Sequence, residues 1–229
     1  MNIRTDLQSQ ANPEKAKILA RYFKTGKGEY GGGDIFIGLT VPQQRQIAKK
    51  YANLLLSDIE KLLHNKIHEY RLTALFILMD KFKKADEVTR KTYFNFYLKN
   101  TKYINNWDLV DLSSRDIVGG YLLDKPRQIL TKLAKSESLW ERRVAVLATF
   151  AFIKKKDFTD SFAIAEILLY DPHDLIHKAV GWMLREIGKL DQEAEEAFLK
   201  NHYKTMPRTT LRYAIERFSP AKRALYLKR

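Results

Sequence analysis

The chain of 229 residues contains no cysteine. Disulfides, thiolate zinc sites and cysteine nucleophiles are therefore all excluded, and the composition suits a reducing compartment such as the cytoplasm. Long apolar runs are absent as well: the longest, residues 144–153, is interrupted by Thr149 and is too short to cross a bilayer. Residues 1–12 are polar and lack the apolar core of a signal peptide. We therefore expect no membrane-spanning segment and no membrane role.

Glycine and proline are sparse, and strand patterns are almost missing. The only glycine-rich stretch is GKGEYGGG at residues 26–33, which lacks the Lys-Ser/Thr ending of a phosphate-binding loop, so we interpret it as a flexible connector. The six prolines fall near helix starts or in loops. Residues 68–82 place Leu72, Leu75, Phe76, Leu78 and Met79 on one broad helical stripe. An all-α protein is predicted.

Positive charge is in large excess. The 41 Lys and Arg residues against 27 Asp and Glu give a net charge of +14. Such a surplus favours a polyanionic partner, most commonly nucleic acid, although a basic solubility surface or a ribosome-associated protein has the same composition. With 45% hydrophobic residues, the chain is expected to fold as one globular domain over residues 1–229.

A weak internal repeat runs through the helical segments. A residue is followed three positions later by a small residue, which lets neighbouring helices approach closely, as in a solenoid of stacked two-helix repeats. The pairs are Arg45/Ala48, Arg71/Ala74, Arg142/Ala145, Lys178/Gly181 and Leu211/Ala214, with Asp108/Asp111 replacing the small residue by an acid.

Equivalent repeat positions would align on one surface of a solenoid, and here they are mostly basic. Stacked together they predict a DNA-binding track along the phosphate backbone. The alternative is that each cation lies over its own helix and pairs with a nearby acid such as Glu69 or Glu141. The proposed track residues are Arg45, Arg71, Arg142, Arg143, Lys178, Arg208 and Arg212.

Asp111 is the exceptional member of this set. Asn105 or Asn106 is a natural N-cap, which starts a helix near Trp107 and puts Asp108 in its first turn, where a negative charge is structurally favourable. Asp111 lies four residues after Trp107, on the same face, where the other repeats have a small residue. The position suits either a catalytic carboxylate or a buried salt bridge to an arginine of the next repeat.

The tryptophans and histidines are candidates for ligand-binding, core or metal-binding residues. Trp107 and Trp182 lie close to the proposed track, whereas Trp140 is expected in the core. The helically spaced pairs His64/His68 and His173/His177 have no recognisable third ligand, so no metal site is predicted.

Several long segments resemble one family, the AlkD-like DNA alkylation-repair glycosylases. They are NPEKAKILARYFKTGKGEYGGGDIFIGLTVP (12–42), IHEYRLTALFILM (67–79), INNWDLVDLSS (104–114), LWERRVAVLATF (139–150), LIHKAVGWMLREIGK (175–189) and MPRTTLRYAIERF (206–218). They cover nearly the whole chain in order.

The resemblance implies an α-α superhelix of about six HEAT-like repeats with a basic concave cleft for duplex DNA. It also implies hydrolysis of the N-glycosidic bond of N3- and N7-alkylated purines, with neither metal nor organic cofactor. The family motif Trp-Asp-x-Val-Asp matches residues 107–111, which makes Asp111 the catalytic aspartate and Trp107 its aromatic partner. By the same resemblance, Arg143 is the cleft arginine and Trp182 the second lesion-binding tryptophan. Asn106 stands where some members carry another aromatic residue.

Two other functions remain open at this point. One is a non-catalytic HEAT-like module that binds branched or distorted DNA; the other is a scaffold that binds a peptide or acidic protein. The Trp107/Asp111 pair favours the enzyme, because a phosphate-binding surface gains nothing from an acid. No lysine stands out as a Schiff-base nucleophile, so we expect a simple glycosylase, monomeric and cytoplasmic.

Overall fold

The computed structural model describes residues 2–228, and within that range the regular structure is helical apart from one isolated bridge between Ile35 and Ile67. None of the helices in this range is long and apolar enough to cross a membrane. The chain divides into two compact units, the first ending at Ser113 and the second beginning at Ser114. The expected single domain over 1–229 stays a prediction.

The first unit contains seven helices and a 3-10 turn at Thr101–Tyr103. The helices are α1 (Ile3–Gln8), α2 (Pro13–Tyr22), α3 (Val41–Lys50), α4 (Leu56–Leu63), α5 (His68–Lys84), α6 (Glu87–Lys99) and α7 (Trp107–Ser114), the last ending at the boundary.

Local capping chemistry sets the starts of several of these helices. Asn12 accepts a hydrogen bond from the Lys15 amide at the start of α2, directly before Pro13. Thr40 and Gln43 form a capping box at the start of α3, and Asp86 caps α6 by accepting from the Thr89 amide. Each arrangement satisfies backbone N–H groups that the first turn leaves without partners.

Helix α5 is the buried centre of the first unit. Four residues of the predicted stripe, Leu72, Leu75, Phe76 and Leu78, are almost fully enclosed, and the fifth, Met79, is half-buried. Burial also extends around the whole helix from His68 to Leu78, polar residues included. A helix buried on all sides needs partners for its polar groups, and those partners form part of the candidate site below.

The second unit contains eight further helices, a π-helical turn at Arg115–Gly119 and 3-10 turns at Leu122–Asp124 and Ile215–Arg217. The helices are α8 (Gln128–Ala134), α9 (Leu139–Ala148), α10 (Phe150–Ile153), α11 (Thr159–Ile167), α12 (Asp174–Gly188), α13 (Gln192–His202), α14 (Arg208–Ala214) and α15 (Pro220–Leu227).

The small residues of the repeat pattern lie where helices approach closely. Ala145, Gly181 and Ala214 are buried in the second unit, as are Ala48 and Ala74 in the first. A methyl group added to Gly181 would lie 2.5 Å from the Thr210 carbonyl oxygen and 2.5 Å from the Tyr213 Cβ. The backbones of α12 and α14 therefore approach at a distance that only glycine permits, which is the role predicted for the small position.

Candidate active site

Helix α7 begins as its sequence predicts. Asn106 is fully buried; its side-chain oxygen accepts from the Trp107 amide at 2.8 Å, and its carbonyl accepts from the Val110 amide at 3.2 Å. This cap orients the first turn, which carries Trp107 and, four residues later, Asp111 on the same face.

Trp107 belongs to a group of aromatic rings contributed by the N-terminal helices. Its half-buried indole stacks on Phe23 with a centroid separation of 4.9 Å, and Tyr22 meets it edge-on at 5.8 Å. Tyr22 is itself 63% exposed. The two side chains form an accessible aromatic surface, and the sequence reasoning missed Tyr22 because nothing local connects α2 with α7.

Asp111 is half-buried and lies close enough to Tyr97 for the charge of its carboxylate to affect the pKa of the Tyr97 phenol. Burial raises the pKa of the Tyr97 phenol most strongly; a hydrogen bond with Ser113 opposes that shift, and the Asp111 carboxylate reinforces it. Beside an enclosed, neutral phenol and an accessible indole, this carboxylate is suited to stabilising a positive charge in a ligand.

Asp108 pairs with a residue in the interior of the first unit. It is buried, and one of its carboxylate oxygens accepts a hydrogen bond from His68 Nε2 at 2.8 Å. The other accepts from the Leu109 amide at 2.8 Å. Asp108 therefore has the structural role expected of it in the first turn of α7. It also binds a buried histidine, which the sequence did not predict.

The other two residues named by motif lie in the second unit. Arg143 is buried, and its guanidinium donates to the Leu175 carbonyl. Trp182 is half-buried, donates to Glu186 at 3.0 Å and lies 6.1 Å from the ring of Phe150. Trp140 is half-buried too, although a core position was predicted.

The basic track residues fall into two groups, and two of them correct the expectation of an open surface. Arg71 is buried and donates to Asp34 at 2.7 Å. Arg142 donates to Asp171 at 2.6 Å. Both match the alternative of pairing with an acid, although Glu69 and Glu141 are not these partners. Glu69 instead accepts from the backbone amides of residues 37–39.

Apart from the buried Arg143, the other track residues lie nearer to solvent. Arg45 is exposed, with its guanidinium 4.0 Å from the centroid of the Phe76 ring. Lys178 is half-buried and pairs with Asp174 at 2.8 Å. Arg208 and Arg212 are exposed near the C-terminal end, and Arg208 donates to the Leu227 carbonyl at 3.1 Å.

One histidine of each predicted pair makes a structural contact. His64 bonds to Asn100 at 2.7 Å, and His173 caps α12 by accepting from the Leu175 amide at 3.1 Å. Within residues 2–228, no group of three or more His, Asp or Glu side chains is arranged to hold a metal ion.

The glycine-rich stretch is more than a connector. It folds into consecutive hydrogen-bonded turns, in which the Gly31 amide donates to the Lys24 carbonyl and the Asp34 amide to the Gly31 carbonyl, both at 3.1 Å. A methyl group on Gly31 would lie 2.3 Å from the Phe23 carbonyl oxygen. This close approach brings Asp34 down onto α5.

These features define a class of protein: an all-α repeat protein in which an accessible tryptophan lies one helical turn from a carboxylate. The family model "DNA alkylation repair enzyme" matches residues 3–218, so the chain belongs to that family. Membership supports a role in alkylation repair, with DNA as the partner.

The chain is similar to a solved structure described as "Predicted DNA alkylation repair enzyme from Enterococcus faecalis". It is 19% identical to this chain, has a TM-score of 0.73, and the alignment covers 92% of this chain and 98% of that one. At this identity the likeness shows the fold alone, and it confirms the predicted all-α repeat class. None of the curated proteins matches the chain.

Proposed function

We propose that this protein is a DNA glycosylase that hydrolyses the N-glycosidic bond of N3- and N7-alkylated purines in duplex DNA. One observation carries the proposal: in a member of the alkylation-repair family, Asp111 holds a half-buried carboxylate one turn from the accessible aromatic surface of Trp107 and Tyr22. A repair protein that only gripped phosphates would be weakened by an acid at that position.

The chemistry requires little more than this carboxylate and a water molecule. An alkylated purine is cationic, so the C1′–N bond breaks with its electron pair going to the departing base. Positive charge then develops on the sugar, and Asp111 stabilises it electrostatically. Water adds its oxygen to C1′, and Asp111 orients that water while a proton is lost to solvent.

The aromatic residues hold the damaged nucleotide. Trp107 and Tyr22 present ring faces and edges to the sugar and the cationic base, an interaction that contributes about 0.5–2 kcal/mol when partly desolvated. Trp182 and Arg143 join this proposal through their family motifs: Trp182 as a second aromatic contact, and Arg143 as a positive charge for a nearby phosphate.

Affinity for DNA is assigned to the cations that reach solvent. The net charge of +14 supplies a long-range attraction, and Arg45, Arg208 and Arg212 are the exposed candidates for phosphate contacts, with Lys178 half-buried. Arg71 and Arg142 are left out of this set, because each already neutralises a buried aspartate. We propose a monomeric, cytoplasmic enzyme that uses no cofactor.

The test is release of free 7-methylguanine and 3-methyladenine from methylated duplex DNA by the wild-type protein. Binding of unmodified duplex is followed over a range of salt, where log K should fall with log salt by about 0.9 per phosphate neutralised. Base release together with this slope supports the glycosylase. Binding without release indicates the non-catalytic DNA module, and a slope near zero removes both DNA functions.

A further inference from the structure

A chain of buried charged groups lies beneath the aromatic surface of the first unit, and the proposed reaction does not use it. His68 stands at its centre, with its Nδ1 3.1 Å from an Asp34 oxygen and its Nε2 2.8 Å from an Asp108 oxygen. The side chains of His68, Asp34 and Asp108 are only 1%, 4% and 8% exposed. Buried groups of this kind are costly unless their charges and hydrogen bonds balance.

Charge balance in the cluster depends on the imidazole. Asp34 and Asp108 carry two negative charges, and Arg71, which donates to Asp34 at 2.7 Å, carries one positive charge. A neutral His68 would leave one buried negative charge uncompensated and one ring nitrogen with no proton to donate. A protonated ring donates to both carboxylates and makes the sum zero.

The other groups around His68 agree with a protonated ring. Burial lowers the pKa of His68, but Asp108 and Asp34 outweigh that effect, so the pKa is raised overall. The Arg71 guanidinium, 3.4 Å from Nδ1, opposes the rise. The pKa of Asp34 is lowered despite burial, through its bonds to His68 and Arg71. Glu69 follows His68 on α5, and the amides of residues 37–39 hold its carboxylate.

The cluster connects the start of α7 to two other parts of the unit. His68 begins α5, Asp34 ends the glycine-rich turns, and Asp108 lies in the first turn of α7. The side-chain amide of Asn106 reinforces the connection, because its Nδ2 donates to the Asp34 carboxylate at 3.3 Å.

Stacked aromatic rings also connect His68 with Trp107 in the candidate site. Phe36 stacks on the imidazole at 4.5 Å, Phe23 lies 5.1 Å from it, and Phe23 stacks in turn on Trp107. Two continuous sets of contacts therefore join the imidazole to Trp107, one through Asp108 and one through the stacked rings.

We propose that His68 is a positioning residue: as an imidazolium bonded to both Asp34 and Asp108, it fixes the first turn of α7 and thereby sets Trp107 and Asp111 for reaction. The catalytic consequence rests on the proposed function, whereas the connection between His68 and Trp107 does not.

The connection can be measured in the wild-type protein without DNA. Labelling with 5-fluorotryptophan gives ¹⁹F signals for residues 107, 140 and 182, assigned with Trp→Phe variants. The nitrogen shifts of the His68 ring are followed over pH in parallel. We expect a protonated ring at pH 7 and a Trp107 signal that shifts in step with the loss of the His68 proton at higher pH, without the same transition at Trp140 or Trp182. A neutral ring at pH 7, or a Trp107 signal that ignores the transition, would overturn the proposal.

The kinetic test compares His68→Gln with the matched control His64→Gln, which alters an exposed histidine in the same unit. We expect kcat for base release to fall on the order of 10–100-fold in His68→Gln, with KM for the duplex within about twofold of wild type, because a misplaced carboxylate slows chemistry more than it weakens binding. His64→Gln should match wild type.

Three outcomes keep the inference distinct from the proposed function. A wild-type protein that releases no base removes the glycosylase, while the fluorine measurement still decides whether His68 is coupled to Trp107. An active wild type with an equally active, folded His68→Gln would show that His68 has no positioning role. If His68→Gln does not fold, wild-type kcat should still decline as pH rises through the His68 transition with KM unchanged, and a flat kcat contradicts the proposal.

Discussion

Glu195 in α13 provides the sharpest quantitative test of how this structure handles charge. The residue is 1% exposed, and its Oε1 finds no hydrogen-bond partner among residues 2–228. Burial, followed by the neighbouring charge of Glu196, raises the pKa of Glu195 to about 8, while Arg185 acts in the opposite direction. The carboxyl is therefore protonated in the folded protein at neutral pH, whereas in the unfolded chain it is ionised.

The free energy involved follows from those two states. The carboxyl ionises near 4.5 when unfolded and near 8 when folded, so its contribution to stability is fully present below pH 4.5 and is lost as pH rises toward 8. Relative to its value below pH 4.5, the free energy of unfolding is lower by roughly 3 kcal/mol at pH 7. The loss approaches about 5 kcal/mol above pH 8. Glu195→Gln keeps the neutral form at every pH and should remove most of this dependence.

The assay is urea unfolding of wild type and Glu195→Gln at pH 5, 7 and 8.5. We expect similar midpoints at pH 5 and an increasing advantage for the variant at the two higher values. Glu193→Gln, an exposed change on the same helix, controls for lost surface charge. Parallel pH dependence in wild type and Glu195→Gln would refute the reasoning, because it would mean that the buried carboxyl ionises without cost.

Three further predictions concern packing, the aromatic surface and the phosphate contacts. Gly181→Ala should lower the free energy of unfolding by about 2–4 kcal/mol, measured by urea denaturation, because its methyl group meets the α14 backbone; an unchanged value would show that α12 and α14 separate freely. Tyr22→Ala should leave the melting temperature nearly unchanged and slow base release at least tenfold, since the ring is exposed yet touches Trp107; wild-type turnover would exclude it from the site. Arg212→Ala should lower the salt slope of duplex binding by about 0.9, whereas Arg71→Met should leave that slope unchanged while destabilising the first unit; equal slopes for all three proteins would remove Arg212 from the DNA surface.

Local patterns in the sequence predicted the helices and their close approaches. The apolar stripe that includes Leu72 and Leu75 predicted α5, and Asn106 predicted the start of α7. The small residue of the repeat pattern at Gly181 lies where the backbones of α12 and α14 approach closely. These features depend on residues within a few positions of one another, or on a repeat that the chain itself displays. The same locality explains why such inferences hold in the absence of any knowledge of tertiary structure.

The interactions that were missed join segments far apart in the chain. No sequence pattern singled out Asp34, which follows the glycine-rich stretch, yet its carboxylate pairs with both Arg71 and His68. Tyr22 gave no sign of its contact with Trp107. Periodicity places a side chain on a face of its own helix, but it does not say which loop supplies an acid opposite, and for that reason the basic track included two cations with buried partners.

The measurement closest to the central claim is single-turnover release of 7-methylguanine by Asp111→Asn, with duplex affinity determined on the same samples. Asp116→Asn is the control, because Asp116 lies nearby in the chain and pairs with Arg115 at 2.6 Å. We predict that Asp111→Asn slows release about 100–1,000-fold, the loss typical of removing one electrostatic group from a transition state, while duplex affinity stays the same or increases. Release near the wild-type rate would contradict catalysis by Asp111, and an unfolded variant would show instead that the carboxylate serves a buried salt bridge.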